Sequence, residues 1–222
     1  TNGAMEYFDT VIKTNVEKVV IANPSDNVAR YQWSRSNNDN YIVCLARIDL
    51  EQKRQDVLLK AMKIVHESYP DVKLRFYGLN KNNNVEKLEN MIEELGLIGV
   101  ASYCGVTEDV PYTLSRAKML VLSSDFEGIP NAIIDAMKIG LPIVTTDCSP
   151  GGAKELIYDD SLGLVVPCRD EKALAEAIEK YINNPSYSER VGLAAQKSLC
   201  RYDENNIYEM WKKFIDSTLL NC

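Results

Sequence analysis

Histidine is nearly missing from this chain: one residue, His66, in 222. A metal site built on histidines is therefore excluded, and His66 itself falls inside a helix-forming pattern. The six cysteines (Cys44, Cys104, Cys148, Cys168, Cys200 and Cys222) never come within three residues of one another. That spacing denies a zinc ribbon or a redox pair. Cys44 and Cys104 fall in strand-like apolar runs, where a free thiol behaves as a small hydrophobe. No Asn-x-Ser/Thr sequon occurs with x other than Pro, and together these features suggest a reducing, cytoplasmic setting. No uninterrupted apolar run approaches the length of a membrane span, and no signal peptide is visible. No G-x-x-x-x-G-K-[ST] run exists, which excludes a P-loop NTPase. No G-x-G-x-x-G follows the first strand, which disfavours a dinucleotide-dependent dehydrogenase. Basic residues are outnumbered, 25 against 32 acids, for a net charge of −7. That balance argues against general nucleic-acid binding and leaves room for an anionic small ligand only through a few local donors. The first Met stands at position 5, and a truncated protein is expected.

What is present is a rhythm. From residue 41 short apolar runs alternate with amphipathic ones. Strands are expected over 41–48, 72–79, 101–106, 118–124, 141–147 and 162–167. Helices are expected over 55–69, 85–97, 110–117, 131–139, 151–159 and 171–183, with two more helical segments toward the C-terminus. Leu58, Met62 (or Ala61), Val65 and Tyr69 share one stripe; so do Val85, Leu88, Ile92 and Leu95, and Leu174, Ala177, Ile178 and Tyr181. Central strands read as continuous Val/Ile/Leu runs, as strands buried on both faces do. The pattern is β-α repeated about six times: an α/β, Rossmann-like, doubly wound parallel sheet of about six strands with right-handed crossovers. Residues 1–40 stand outside the rhythm and are expected to be a linker and interdomain remnant, with 16–24 a candidate strand. Residues 41–206 form the Rossmann-like domain. Residues 207–222 form a closing helix with Ile207, Met210, Trp211 and Phe214 on one stripe.

In such sheets ligands bind beyond the C-terminal ends of the strands. There the first strand leads to Arg47 and Lys53, two cations before a helix N-terminus, which suits an anion, although a solvated loop reads the same. The second strand ends at Gly78 and the third at Gly105-Val106; both are equally plain turns. The fourth leads into "SDFEGIPNAIIDAM". Gly128, Ile129 and Pro130 shape a turn, Asn131 or a neighbour caps a helix, and Glu127 and Asp135 flank the turn. Carboxylates accept hydrogen bonds from vicinal hydroxyls; acids near a helix start also simply complement its dipole. The fifth strand leads to Gly151-Gly152 and a third acid, Glu155.

Taken in order, "LARIDLEQK", "PDVKLRFYGL", "YCGV", "LVLSSDFEGIPNAIIDAMKIGLPIVTTDCSPGG" and "KELI" resemble the retaining family 4 glycosyltransferases, in the C-terminal half of their two-domain GT-B fold. "VVIANPSD" resembles the family's linker and "YDENNIYEMWKKFI" its closing helix. The resemblance implies that Arg47 and Lys53 contact the donor diphosphate and act in catalysis with Glu127. It implies that Glu127, the first acid of the family's E-x7-E motif, reaches the donor sugar. It assigns the backbone of Gly128, Ile129 and Pro130 to sugar and phosphate, Asp135 to the ribose hydroxyls, and Gly105-Val106 to the base. Asp135 departs from the family's Glu, which shortens its reach by one methylene. No metal and no cofactor is implied beyond the nucleoside diphosphate sugar, UDP-sugar favoured, as substrate. The implied whole enzyme transfers that sugar, with retained anomeric configuration, to an acceptor hydroxyl of a glycan or lipid-linked glycan in surface polysaccharide (capsule or lipopolysaccharide) biosynthesis. The acceptor-binding N-terminal domain is missing from the match, and any peripheral contact at the inner face of a membrane would come through it. This chain alone is expected to be inactive. Two alternatives stand beside that reading: a donor-binding subunit that pairs with a separate acceptor subunit, and a GT-B-type nucleotide-sugar epimerase, which would bring a His of its own.

Overall fold

A computed structural model describes residues 1–12, 18–25, 31–80 and 82–220. The first helix, α1 (Asn2–Val11), precedes an irregular stretch. Six strands follow: β1 (Tyr41–Leu45), β2 (Lys73–Tyr77), β3 (Ala101–Tyr103), β4 (Met119–Leu122), β5 (Ile143–Thr146) and β6 (Leu164–Val166). Between and after them come α2 (Gln55–Ser68), α3 (Asn84–Glu94), α4 (Val110–Ser115), α5 (Asn131–Ile139), α6 (Gly152–Leu156), α7 (Glu171–Asn183), α8 (Pro185–Ser198) and α9 (Glu204–Leu220). Every strand pairing is parallel, in the order β3-β2-β1-β4-β5-β6. All four residues of β4 and of β5 are buried, because helices cover both faces of a parallel sheet. α2 packs on α3 and α7, and α5 packs on α4 and α8.

Strand order reverses between β1 and β4. The helices that follow them, α2 and α5, pack in separate clusters, and the C-terminal edge at such a reversal is the usual ligand position in doubly wound sheets. The loop edge is tightly drawn: a Cβ on Gly78 would stand 2.0 Å from the Ala46 carbonyl oxygen. Gly78 is thus spent on the approach of the neighbouring loop rather than on a ligand.

Several expectations are corrected. Residues 18–24 form no strand; positions 16 and 17 lie outside the described residues, as does Cys222. Within residues 1–40, Asn2–Val11 is helical and Trp33 is bonded to the domain: its backbone N–H donates to Ile139 O at 2.8 Å and its indole to Ala117 O at 2.7 Å. Cys104 lies just past β3 and is exposed. The N-cap of α5 is Pro130, with Asn131 as the first helical residue. α9 begins at Glu204, three residues early, and of its expected stripe only Ile207 is buried, while Met210 and Trp211 are exposed.

Candidate active site

The loops that follow β1 and β4 are hydrogen-bonded to each other along their length. Ser123 Oγ donates to the carbonyl oxygens of Lys53 (3.0 Å) and Arg54 (2.8 Å). The Asp125 N–H donates to Gln52 O at 2.9 Å, and Gln52 Nε2 donates to Phe126 O at 3.0 Å. The Asp125 side chain, 5% exposed, receives Arg169 through Nε (2.9 Å) and Nη2 (2.8 Å), with Arg54 Nη1 at 3.6 Å. Gln55, fully buried at the start of α2, donates to Arg47 O at 2.9 Å and accepts from the Asp49 N–H at 3.3 Å. Buried polar groups are tolerated when hydrogen-bonded, and here those bonds hold two loops at one spacing.

Within this frame Lys53 Nζ meets Glu127 Oε1 at 2.5 Å; their side chains are 13% and 11% exposed. Ser124 Oγ donates to the same Oε1 at 2.7 Å, and the Glu127 N–H donates to Ser149 O at 2.8 Å. Two donors on Oε1 leave Oε2 as the acceptor for a ligand hydroxyl. An ammonium has three N–H donors, so one contact to Glu127 leaves two. Lys53 and Glu127 touch directly, as a carboxylate this desolvated is held by a cation. Arg47 is exposed, with Nε 3.2 Å from Asp49 Oδ2 and Nη2 on Gln52 Oε1.

Asp135 sits in the second turn of α5, 3.9 Å from Lys138. With Gly128, Ile129 and Asn131 it lines a cavity of about 750 Å³. Lys53, Arg47 and Glu127 lie outside that lining. α5 has no side-chain cap among the described residues, and while the Ile133 N–H donates to Pro130 O at 3.0 Å, the N–H groups before it can donate to an anion. Pro130 is buried as its cap. A Cβ on Gly152 would lie 1.5 Å from Gly128 O, so α6 is pressed against the turn. Gly105 O accepts from the Gly78 N–H at 2.9 Å, and Val106 is exposed in the loop three residues past β3, a strand two places from β1. Glu155 turns elsewhere: its carboxylate takes the N–H of Asn2.

The sequence reading passed over Ser124, Asp125, Gln52, Gln55 and Arg169. Only the polar run "SSD" directly after a buried strand hinted at them. Burial pushes the Cys148 thiol up to about 11, with the Glu127 charge nearby adding to it, and the Cys44 thiol up to about 12; neither is a nucleophile near neutrality. His66 lies in the last turn of α2, away from the crevice. Among the described residues no group of three or more His, Cys, Asp or Glu could hold a metal ion, and no helix is long and apolar enough to cross a membrane.

Residues 25–198 match the family described as glycosyl transferases group 1. The chain belongs to that family. A glycosyltransferase of Haemophilus influenzae is 28% identical over 212 residues, covering 96% of this chain and 58% of that protein. A Campylobacter jejuni α-1,4-N-acetyl-D-galactosaminyltransferase, acting on an undecaprenol diphosphate-linked glycan, is 27% identical over 186 residues, 82% of this chain and 49% of its own. The chain thus spans about half the length of these relatives. Among solved structures, Staphylococcus aureus TarM, in a complex containing UDP, superposes with a TM-score of 0.82 at 22% identity, over 94% of this chain and 41% of its own. Anabaena HepE with UDP and glucose gives 0.77 at 23%, over 90% and 56%. The fold is therefore that of one half of a GT-B glycosyltransferase, as the resemblance implied.

Proposed function

We propose that this domain binds a nucleoside diphosphate sugar, a UDP-sugar, and that in the whole protein the sugar passes to an acceptor hydroxyl with retained anomeric configuration in surface glycan synthesis. The observation that carries the reading is the Lys53–Glu127 pair at the point where strand order reverses. Lys53, Arg47 and the α5 N-terminus take the diphosphate, and their positive charge stabilises the leaving group as the glycosidic bond breaks. Oε2 of Glu127 takes a donor-sugar hydroxyl, Asp135 the ribose and the Gly105-Val106 backbone the base. UDP bound in TarM and HepE, proteins of the same fold, favours UDP. No metal or cofactor enters this scheme.

Calorimetric titration tests it. UDP is expected to bind with a Kd of about 1 mM or tighter, and the Arg47→Ala, Lys53→Ala double variant to lose that binding. Equal affinity in the double variant would remove the diphosphate assignment.

A further inference from the structure

We propose that Arg169, in the loop that follows β6, is a positioning residue of the donor site: through the buried Asp125 carboxylate it holds the turn that carries Glu127. The inference rests on the donor-site reading above and adds a third loop to the two already described.

Three observations carry it. The first is backbone. Arg169 stands at φ 60°, a left-handed conformation that glycine adopts freely and other residues rarely. An arginine kept at such a position points to a role for its side chain. The second is what that side chain reaches. Although Arg169 is itself 64% exposed, its Nε and Nη2 converge on Asp125 Oδ2 at 2.9 and 2.8 Å. Arg54 stands farther off, at 3.6 Å, and its own Nε and Nη2 are given to Asp56 at 2.9 and 2.8 Å. Arg169 thus supplies the direct hydrogen bonds to this carboxylate, whose Oδ1 is buried with no partner among the described residues. A buried carboxylate stripped of its cation is strongly disfavoured where it stands. The third is the neighbouring residue. Cys168 donates from Sγ to Ser124 O at 3.6 Å and to Asp147 O at 3.3 Å. Consecutive residues of one loop therefore hold Ser124 and Asp125, consecutive residues of the other. Ser124 passes that constraint on, since its Oγ donates to Glu127 Oε1 at 2.7 Å.

Calorimetry tests this, with UDP and with UDP-glucose, UDP-galactose and their N-acetylamino forms as probes. The wild type is expected to hold at least one UDP-sugar more tightly than UDP. Arg169→Gly suits the backbone and removes the guanidinium. Its affinity for that UDP-sugar should fall about tenfold, as loss of one hydrogen bond to a charged group would give, and its UDP affinity should fall less. Adding Asp125→Asn removes the buried charge that needs a cation, so the double variant should recover to within about threefold of the wild type. Arg169→Lys, which keeps the charge without the fork, should lie between Arg169→Gly and the wild type; it carries the test alone if Arg169→Gly does not fold, and wild-type affinity in it would then overturn the proposal. Unchanged UDP-sugar affinity in Arg169→Gly, equal losses of UDP and UDP-sugar, or no recovery in the double variant each overturn it while leaving UDP binding by the wild type intact. A wild type that binds UDP but prefers no UDP-sugar takes Glu127 off the sugar and this inference with it. A wild type that does not bind UDP sinks the donor-site reading as well.

Discussion

Lys53 and Glu127 satisfy each other, and that shapes what each substitution should do. Glu127→Gln removes the charge that competes with phosphate for Lys53. UDP should bind as well or more tightly, while the advantage of UDP-glucose over UDP disappears; calorimetry with both ligands checks it, and a retained advantage would detach Glu127 from the sugar. Asp135→Asn should weaken UDP but leave pyrophosphate binding alone, since Asp135 lines the cavity beyond the Gly128 turn rather than the Lys53 side; equal losses would mean it acts on the fold. Cys148 makes a pH prediction. Its thiol is raised by burial from 9.0 to about 11, so below pH 9 both folded and unfolded states keep the proton. As pH rises toward 11 the unfolded state ionises first and stability falls. The melting temperature of Cys148→Ala should decline less steeply between pH 9 and 11 than that of the wild type. Some slope should remain, because Cys44 acts in the same direction.

At the scale of elements, the candidate site depends on two loops and on α6 pressed against the Gly128 turn. Gly152 and Gly128 should separate packing from binding. A Cβ at Gly152 has nowhere to go, so Gly152→Ala should cost about 1–3 kcal/mol of stability. A Cβ at Gly128 meets nothing within 4 Å among the described residues, so Gly128→Ala should melt as the wild type does yet bind UDP more weakly. Denaturant titration beside calorimetry distinguishes them; the reverse pattern would take the Gly128 turn out of the ligand's path. The helices themselves were readable: the stripes of α2 and α7 came out buried at Leu58, Met62, Val65, Leu174, Ala177, Ile178 and Tyr181, since a 3.6-residue period and one apolar face suffice to identify them. The loop contacts were not readable, because Ser123, Asp125 and Gln52 have no periodicity and become a unit only when β1 and β4 lie side by side.

For the whole molecule, an acidic chain with net charge −7 would bind an anion only where a few cations and helix N–H groups converge, and Arg47, Lys53 and the start of α5 follow the two strands at which the order reverses. α9 is held at its start, where Ile207 is buried, while Tyr208, Trp211 and Ile215 are exposed. Ending the chain after Ile207 should therefore lower the melting temperature by less than about 4 °C, whereas Ile207→Asp should lower it more; the opposite order would mean that the far end of α9 bears on the domain. In the full-length protein, NMR of the product should find the donor's anomeric configuration kept.

The sequence by itself determined the α/β alternation and the parallel sheet, because side-chain period and the burial of both sheet faces are local consequences of residue order. Its motifs also named Lys53, Glu127, the Gly128 turn and Asp135. Only the tertiary structure decided that Lys53 and Glu127, 74 residues apart, share an ion pair, that Asp135 lines a cavity with Gly128 and Ile129, and that Asp125, Gln52 and Ser124 hold the arrangement. Those contacts depend on β1 lying beside β4 in one register, a long-range pairing that no local pattern encodes.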